Sequence, residues 1–148
     1  DPTNPNVATE AKAAMLDALY LKPPSSFELA NQLAQYLTSS SLADDPMVWV
    51  YVAAARGQEY SYRCKAGVPK ENLLDVRKSA LDAAKRVSVL EKNLNSPARV
   101  YLRGMYVPNS GPDNDLTVFY GEEEFDKVIL GVDRKQSAAE PAAEEPKP

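Results

Sequence analysis

The sequence contains no histidine, a single cysteine (Cys64) and six glycines among its 148 residues. Without histidine, the chain lacks the commonest general base and the commonest transition-metal ligand, and no serine–histidine nucleophile can form within it. One cysteine allows no intramolecular disulfide, and we expect Cys64 to be a small buried side chain within a helix. The glycines are isolated and form no phosphate-binding loop. These absences argue against an enzyme and predict neither a cofactor nor a bound metal.

The sequence also lacks a basic stripe and a long apolar run. The formal net charge is −4, and basic residues alternate with acids, as in Asp75, Arg77, Lys78 and Asp82. This pattern is typical of a solvated helix surface and argues against nucleic-acid binding. No apolar run approaches the ~20 residues of a membrane span, so we expect a soluble protein. The first residue is Asp1 and the start is polar, which indicates a processed or excised chain and favours export.

Composition divides the chain into three regions. Residues 1–6 form a polar linker, residues 7–132 carry helical periodicity, and residues 133–148 consist largely of Ala, Glu, Pro and Lys. The last region cannot bury enough apolar surface to fold. We therefore expect a single all-α domain, built from antiparallel helix hairpins, followed by a disordered C-terminal tail.

Apolar residues recur at helical spacing over four segments, which are residues 7–21, 26–37, 46–66 and 70–93. The predicted N-terminal caps are Thr9 for the first segment, Ser25 or Ser26 with Glu28 for the second, and the pair Asp44 and Asp45 before Pro46 for the third. Gly67 and Pro69 are typical of the end of the third helix. A short last helix over residues 122–130 is predicted to end at Gly131.

Residues 98–120 allow two interpretations. Val100, Leu102 and Tyr106 have the spacing of one helix face, whereas β-propensity favours two strands on either side of the turn-rich residues 108–115. A weak internal repeat favours the helix, over residues 96–106. The series Ala30, Ala34, Leu37 recurs about fifty residues later as Ala80, Ala84, Val87, and each copy precedes an Asp-Pro or Ser-Pro helix start.

The repeat resembles the tetratricopeptide repeat family over residues 25–107. That family has a helix with the pattern Trp-x2-Leu-Gly-x2-Tyr, a second helix with Ala-x3-Phe-x2-Ala, and then a proline. Here the first pattern is matched from Trp49 to Ala53, the second by Ala80, Ala84 and Val87, and the proline by Pro97. The repeat departs from the family in its period of about fifty instead of 34 residues. It also has Arg99 at the second tryptophan position, and Ala34 or Ala84 in place of the bulky aromatic residue.

The resemblance implies a protein-interaction or assembly module that binds a protein or peptide along a concave groove. In the implied geometry, Trp49 anchors the second and third helices, and the groove-facing residues are Met47, Val50, Ala54, Gln58, Val100 and Gly104. One alternative is that the first or the last helix fills this groove. Another is an irregular helical bundle that serves as a structural subunit of a larger complex, with the same residues in a permanent interface. A homo-oligomer belongs to that alternative.

An acidic segment over residues 113–124 resembles a calcium-binding loop in part. Asp113, Asn114 and Asp115 begin it, and Glu124 stands at the twelfth position, where the loop needs glutamate. The sixth position is Val118, whereas the sharp turn of such a loop needs glycine. We therefore expect a solvated turn followed by an acidic helix start, and no calcium site.

Overall fold

The computed structural model describes residues 4–132, and within them it contains six α-helices and no strand. The helices are α1 (Pro5–Leu19), α2 (Ser25–Leu37), α3 (Pro46–Lys65), α4 (Leu74–Leu90), α5 (Pro97–Tyr106) and α6 (Glu123–Phe125). Two 3₁₀ turns (Lys70–Asn72 and Thr117–Phe119) and a π-helical turn (Asp126–Leu130) complete the regular structure. The predicted all-α class is confirmed for these residues. The predicted disordered tail, residues 133–148, lies outside them.

The sequence predicted N-terminal caps for three helices, and the structure confirms one of them. The Asp45 side chain accepts a hydrogen bond from the Met47 amide (2.9 Å), as predicted for α3. The cap predicted at Thr9 is wrong, because Asn4 caps α1 and Pro5 occupies its first turn. Helix α1 therefore extends into the predicted linker, and the Thr9 hydroxyl donates to the Pro5 carbonyl inside it (2.8 Å).

The serine cap predicted for α2 is also wrong. Helix α2 begins at Ser25, with Pro24 as its cap residue and no side-chain cap. The Ser26 hydroxyl is buried and donates to Gln58 Oε1 on α3 (2.6 Å). A partner on a neighbouring helix has replaced the local cap, which sequence spacing alone could not indicate.

The contested segment is helical as far as Tyr106, so the prediction of a helix is confirmed and the strand alternative is wrong. Helix α5 buries Leu102, Met105 and Tyr106 on one face, and Val100 on the opposite face is 48% exposed. The predicted last helix is confirmed as α6 and the π-helical turn, which ends at Gly131 with a positive φ of 73°. The predicted fourth helix begins later than expected, because residues 70–72 form a 3₁₀ turn before α4.

Helix α3 lies at the centre of the domain. It packs against α1, α2, α4 and α5, and consecutive helices joined by short connections also pack on each other. Its middle is buried on most sides, from Val48 to Ala55 with Trp49 only half-buried. The Trp49 indole donates to the Ala43 carbonyl in the α2–α3 connection (2.6 Å). Cys64, expected to be buried, is half-buried near the end of α3.

Arg99, which stands at the second tryptophan position of the repeat, is a buried hydrogen-bond donor. It is 5% exposed and donates to the carbonyls of Glu91 (3.0 Å) and Val128 (3.2 Å). Burial, and then the nearby charge of Arg103, lower the pKa of Arg99 below its usual value. The guanidinium thus joins the end of α4 to the π-helical turn by hydrogen bonds. The repeat family has a tryptophan ring at this position instead.

Candidate functional site

The structure divides the six residues of the predicted groove between the core and the surface. Val50 and Ala54 are 0% and 1% exposed on the face of α3 that α1 and α5 cover. The face expected to form an open groove is therefore covered by helices of this chain. The first helix takes part, as the alternative interpretation expected, but its neighbour there is α5 and not the last helix. The physical reason is that a small domain with one central helix must bury that helix on nearly all sides.

The other four residues do not form one surface. Met47 is half-buried against the core at the start of α3, and Gly104 is half-buried on α5. Val100 is exposed on α5. Gln58 lines an open cleft on the C-terminal half of α3.

We call this feature the α3 cleft, and its volume is about 420 Å³. Its floor is one face of α3, formed by Gln58, Ser61, Tyr62 and Lys65, which recur at helical spacing. One wall is the end of α1 and the connection to α2, including Leu21 and Pro23. The other wall is residues 114–118. Leu21, Tyr62 and Val118 are 48%, 40% and 38% exposed, so apolar side chains surround the opening.

Gln58 joins the three parts of the cleft. Its Nε2 donates to the Leu19 carbonyl at the end of α1 (2.9 Å) and to Asp115 Oδ1 (3.1 Å). Its Oε1 accepts the hydroxyl proton of Ser26 (2.6 Å). A single amide therefore fixes the positions of α1, α2 and the 114–118 wall relative to α3.

Residues 112–116 cross α3 at very close range. A Cβ atom at Gly57 would lie 2.1 Å from the Asp115 carbonyl oxygen, so only glycine fits at this position of the helix. The next residue, Leu116, is fully buried, and its amide donates to the Met105 carbonyl (3.1 Å). This wall of the cleft is thus held by backbone contacts as well as by Gln58.

Asp113 fastens the same segment to two other helices. Its Oδ2 accepts hydrogen bonds from the hydroxyls of Tyr20 (3.1 Å) and Tyr101 (3.2 Å), at the end of α1 and on α5. Burial, followed by the interactions with Tyr20 and Asp113, raises the pKa of Tyr101. Tyr101 therefore stays a protonated donor at neutral pH. Behind this segment lies a second, smaller cavity of about 100 Å³, which Ala54 and Met105 line.

Asp115 is the carboxylate of the α3 cleft. Burial raises its pKa to about 6, the neighbouring Asp113 adds to this effect, and the hydrogen bond from Gln58 opposes it. Within residues 4–132, no lysine or arginine forms an ion pair with Asp115. A carboxyl group with a raised pKa in a cleft is a common property of functional sites.

The acids of the 113–124 segment do not converge on one point. Arg77 of α4 forms ion pairs with Glu122 (2.7 Å) and Glu124 (3.2 Å), whereas Asp113 faces two tyrosine hydroxyls. In the part of the chain that the structure describes, no group of three or more acidic or cysteine side chains has the arrangement of a metal site. The same residues include no helix with the length and hydrophobicity to cross a membrane.

Chemically, the cleft can hold apolar groups and hydrogen-bond or pair with charged ones. Asp115 accepts its hydrogen bond from the Gln58 amide, not from a hydroxyl or thiol that it could activate as a nucleophile. Sequence reasoning did not place Lys65 or Gly57 at a site, and it considered Asp115 only within the calcium-like segment. A glycine in the interior of a twenty-residue helix costs about 1 kcal/mol relative to alanine, so Gly57 was the available signal of a close backbone approach.

Comparisons of the chain with protein-family models, with curated protein sequences and with solved structures gave no match. The resemblance to tetratricopeptide repeats therefore stays a prediction, and function has to be argued from the cleft itself.

Proposed function

We propose that this chain is a non-catalytic interaction module that binds a segment of a partner polypeptide in the α3 cleft. The observation that carries the proposal is the cleft itself, in which exposed Leu21, Tyr62 and Val118 surround hydrogen-bonding groups on a helical floor. Its volume falls within the usual range for ligand sites, about 300–1,000 Å³. Apolar side chains exposed around a concave surface are typical of recognition sites.

The construction of the cleft supports binding without large rearrangement. Gln58, Gly57 and Asp113 connect its walls to α1, α3 and α5 through hydrogen bonds and a close backbone contact. A preformed site loses less conformational entropy on binding than a mobile one. The resemblance to tetratricopeptide repeats supports the same functional class. The proposed binding surface differs from the one that the resemblance implies, because it lies on the C-terminal half of α3 and not on the face that α1 and α5 cover.

The test is a selection of peptides that bind the cleft. Random dodecapeptides displayed on phage are selected against the immobilised chain, and the enriched peptides are titrated against purified variants. Ser61→Trp fills the cleft floor, and Ser88→Trp is the matched control on α4, which lies outside the cleft. We expect dissociation constants to rise more than tenfold with Ser61→Trp and to stay unchanged with Ser88→Trp. Peptides that bind the filled cleft equally well, or a selection that enriches none, would overturn the proposal.

The second candidate is a structural subunit of a larger assembly. Leu74 and Val89 on α4 are 62% and 58% exposed, away from the cleft, and such side chains suit a permanent interface. Size-exclusion chromatography with light scattering separates the candidates. A monomer that binds peptides supports the interaction module, whereas an oligomer that Val89→Lys dissociates supports the structural subunit.

A further inference from the structure

The α3 cleft has opposite charges at its two ends. Asp115 lies beside Gln58 at the inner end of the floor, at 3.1 Å from its amide nitrogen. Lys65 lies two helical turns further along α3, at the outer end, and its side chain is exposed. Neither residue forms an ion pair with any other residue between positions 4 and 132.

The helix sets the distance between these ends. Gln58 and Lys65 are seven positions apart, and a rise of 1.5 Å per residue separates them by about 10 Å along α3. An extended polypeptide advances about 3.3–3.6 Å per residue, so about three residues of a peptide span the same distance. The cleft also has apolar contacts to offer, from Tyr62, which lies between Gln58 and Lys65 on α3, and from Leu21 and Val118 in the two walls.

We infer that the occupant of the α3 cleft is an extended peptide segment that places a basic side chain against Asp115 and an acidic side chain, three residues away, against Lys65. The two intervening residues are apolar and pack between Leu21, Tyr62 and Val118. The inference rests on the proposed function, because it names the chemistry of the polypeptide that the cleft would bind.

The surroundings of Asp115 favour a cation as its partner. The carboxylate is partly buried in the wall of the cleft, burial raises its pKa, and Gln58 supplies a single neutral hydrogen bond to one oxygen. Asp113 next to it adds negative charge, and two tyrosine hydroxyls donate hydrogen bonds to Asp113. A basic side chain would replace the lost hydration and bind by a charge-assisted hydrogen bond.

The experiment uses four pools of capped tetrapeptides. The first has the form Ac-Lys-X-X-Glu-NH2, where X is a mixture of Leu, Val and Tyr. In the other three pools, glutamine replaces the lysine, the glutamate or both. Each pool is titrated into the full chain labelled with ¹⁵N, and the amide shifts of the cleft residues report binding. We expect the Lys-X-X-Glu pool to bind at least tenfold more tightly than the pool with two glutamines.

Two variants assign each charge to its partner. Asp115→Asn should weaken binding of Lys-X-X-Glu about tenfold and leave Gln-X-X-Glu unchanged, because asparagine can still accept the hydrogen bond from Gln58. Lys65→Gln should have the converse effect, acting only on pools with glutamate. Asp82→Asn and Lys70→Gln, which change the same charges outside the cleft, are the controls and should have no effect.

The outcomes separate this inference from the proposed function. If the four pools bind the cleft equally, or if Asp115→Asn affects all of them alike, the charge pattern is wrong while peptide binding stands. If no pool shifts the cleft amides, the inference fails, and the phage selection then decides the proposed function independently.

Discussion

Gly57 lies directly beneath Asp115, so close that a Cβ atom on the glycine would be 2.1 Å from the carbonyl oxygen of the aspartate. This contact brings the 114–118 wall against α3 next to Gln58. It also explains why the central helix contains a glycine, which lowers helix stability when nothing else requires it.

Gly57→Ala should destabilise the protein. The methyl group must displace the Asp115 backbone, and overpacking of this kind typically costs about 1–3 kcal/mol, which exceeds the gain of up to about 1 kcal/mol in helix propensity. Gly104→Ala is the control, because its methyl group would meet no atom within 4 Å on α5 and should stabilise the protein by about 0.5–1 kcal/mol. Urea denaturation followed by circular dichroism measures both. Equal effects of the two variants would contradict the close contact.

Asp115→Asn should stabilise the protein at neutral pH. The pKa of Asp115 is about 6 in the folded chain, against an ordinary value of 3.8, so the native state holds a proton that the unfolded state releases between these values. The free energy of unfolding therefore falls as the pH rises from about 4 to 6. A pKa shift of this size lowers the free energy of unfolding by about 2–3 kcal/mol once Asp115 is ionised. Asparagine carries no charge, so the variant should not lose this stability above pH 7.

The measurement for Asp115 is the difference in unfolding free energy between the variant and the wild type at pH 4, 5, 6 and 7.5. The difference should be near zero at pH 4 and grow with pH. Asp113, the nearest acid, is present in both proteins, but its repulsion of the Asp115 carboxylate is absent from the variant and is therefore part of the expected difference. A difference that does not change with pH would show that burial does not perturb Asp115.

Val50→Glu should unfold the domain, or cost at least about 4 kcal/mol, because the side chain is fully buried and a carboxylate there would have no partner. Val100→Glu is the control, since Val100 is 48% exposed on α5, and its effect should stay within about 0.5 kcal/mol. Thermal melts of both variants are sufficient. A folded and stable Val50→Glu variant would contradict the burial of Val50 and support the groove predicted from the sequence.

Arg99→Leu should cost about 3 kcal/mol. The substitution removes the charged donor from the buried carbonyls of Glu91 and Val128, and hydrogen bonds to charged groups contribute about 1.5–3 kcal/mol. Arg103→Leu, which removes the exposed donor to the Leu94 carbonyl, should cost less than about 1 kcal/mol. The comparison by urea denaturation tests whether Arg99 joins α4 to the π-helical turn. Similar costs for the two variants would contradict that role.

The helices that could be predicted are those whose signals are local. Asp45 and Pro46 start α3, and Gly131 ends the last turn, because caps, prolines and positive φ angles act within a few residues of the chain. The helix at Pro97–Tyr106 was harder to predict, because its valine and tyrosine residues also favour strands. Its apolar spacing suits burial of a single helix face, and packing decided between the two.

The candidate site was not predictable in the same way. Gln58 was singled out, but as one residue of a groove that α1 and α5 in fact cover. Asp115 was noticed only as part of a calcium-like motif, since nothing near it in sequence shows that it accepts a hydrogen bond from a residue 57 positions away. Periodicity identifies which residues of α3 share a face, but it does not say which neighbour covers that face.

Local chemistry along the chain was thus enough for the helical class, most helix positions and the Asp45 cap, because these depend on interactions between residues a few positions apart. The location of the cleft, the raised pKa of Asp115 and the need for glycine at position 57 depend on how α1, α3 and residues 112–118 meet in space. Those contacts join residues far apart in the chain, and their energies come from packing and burial, which no short window of residues contains.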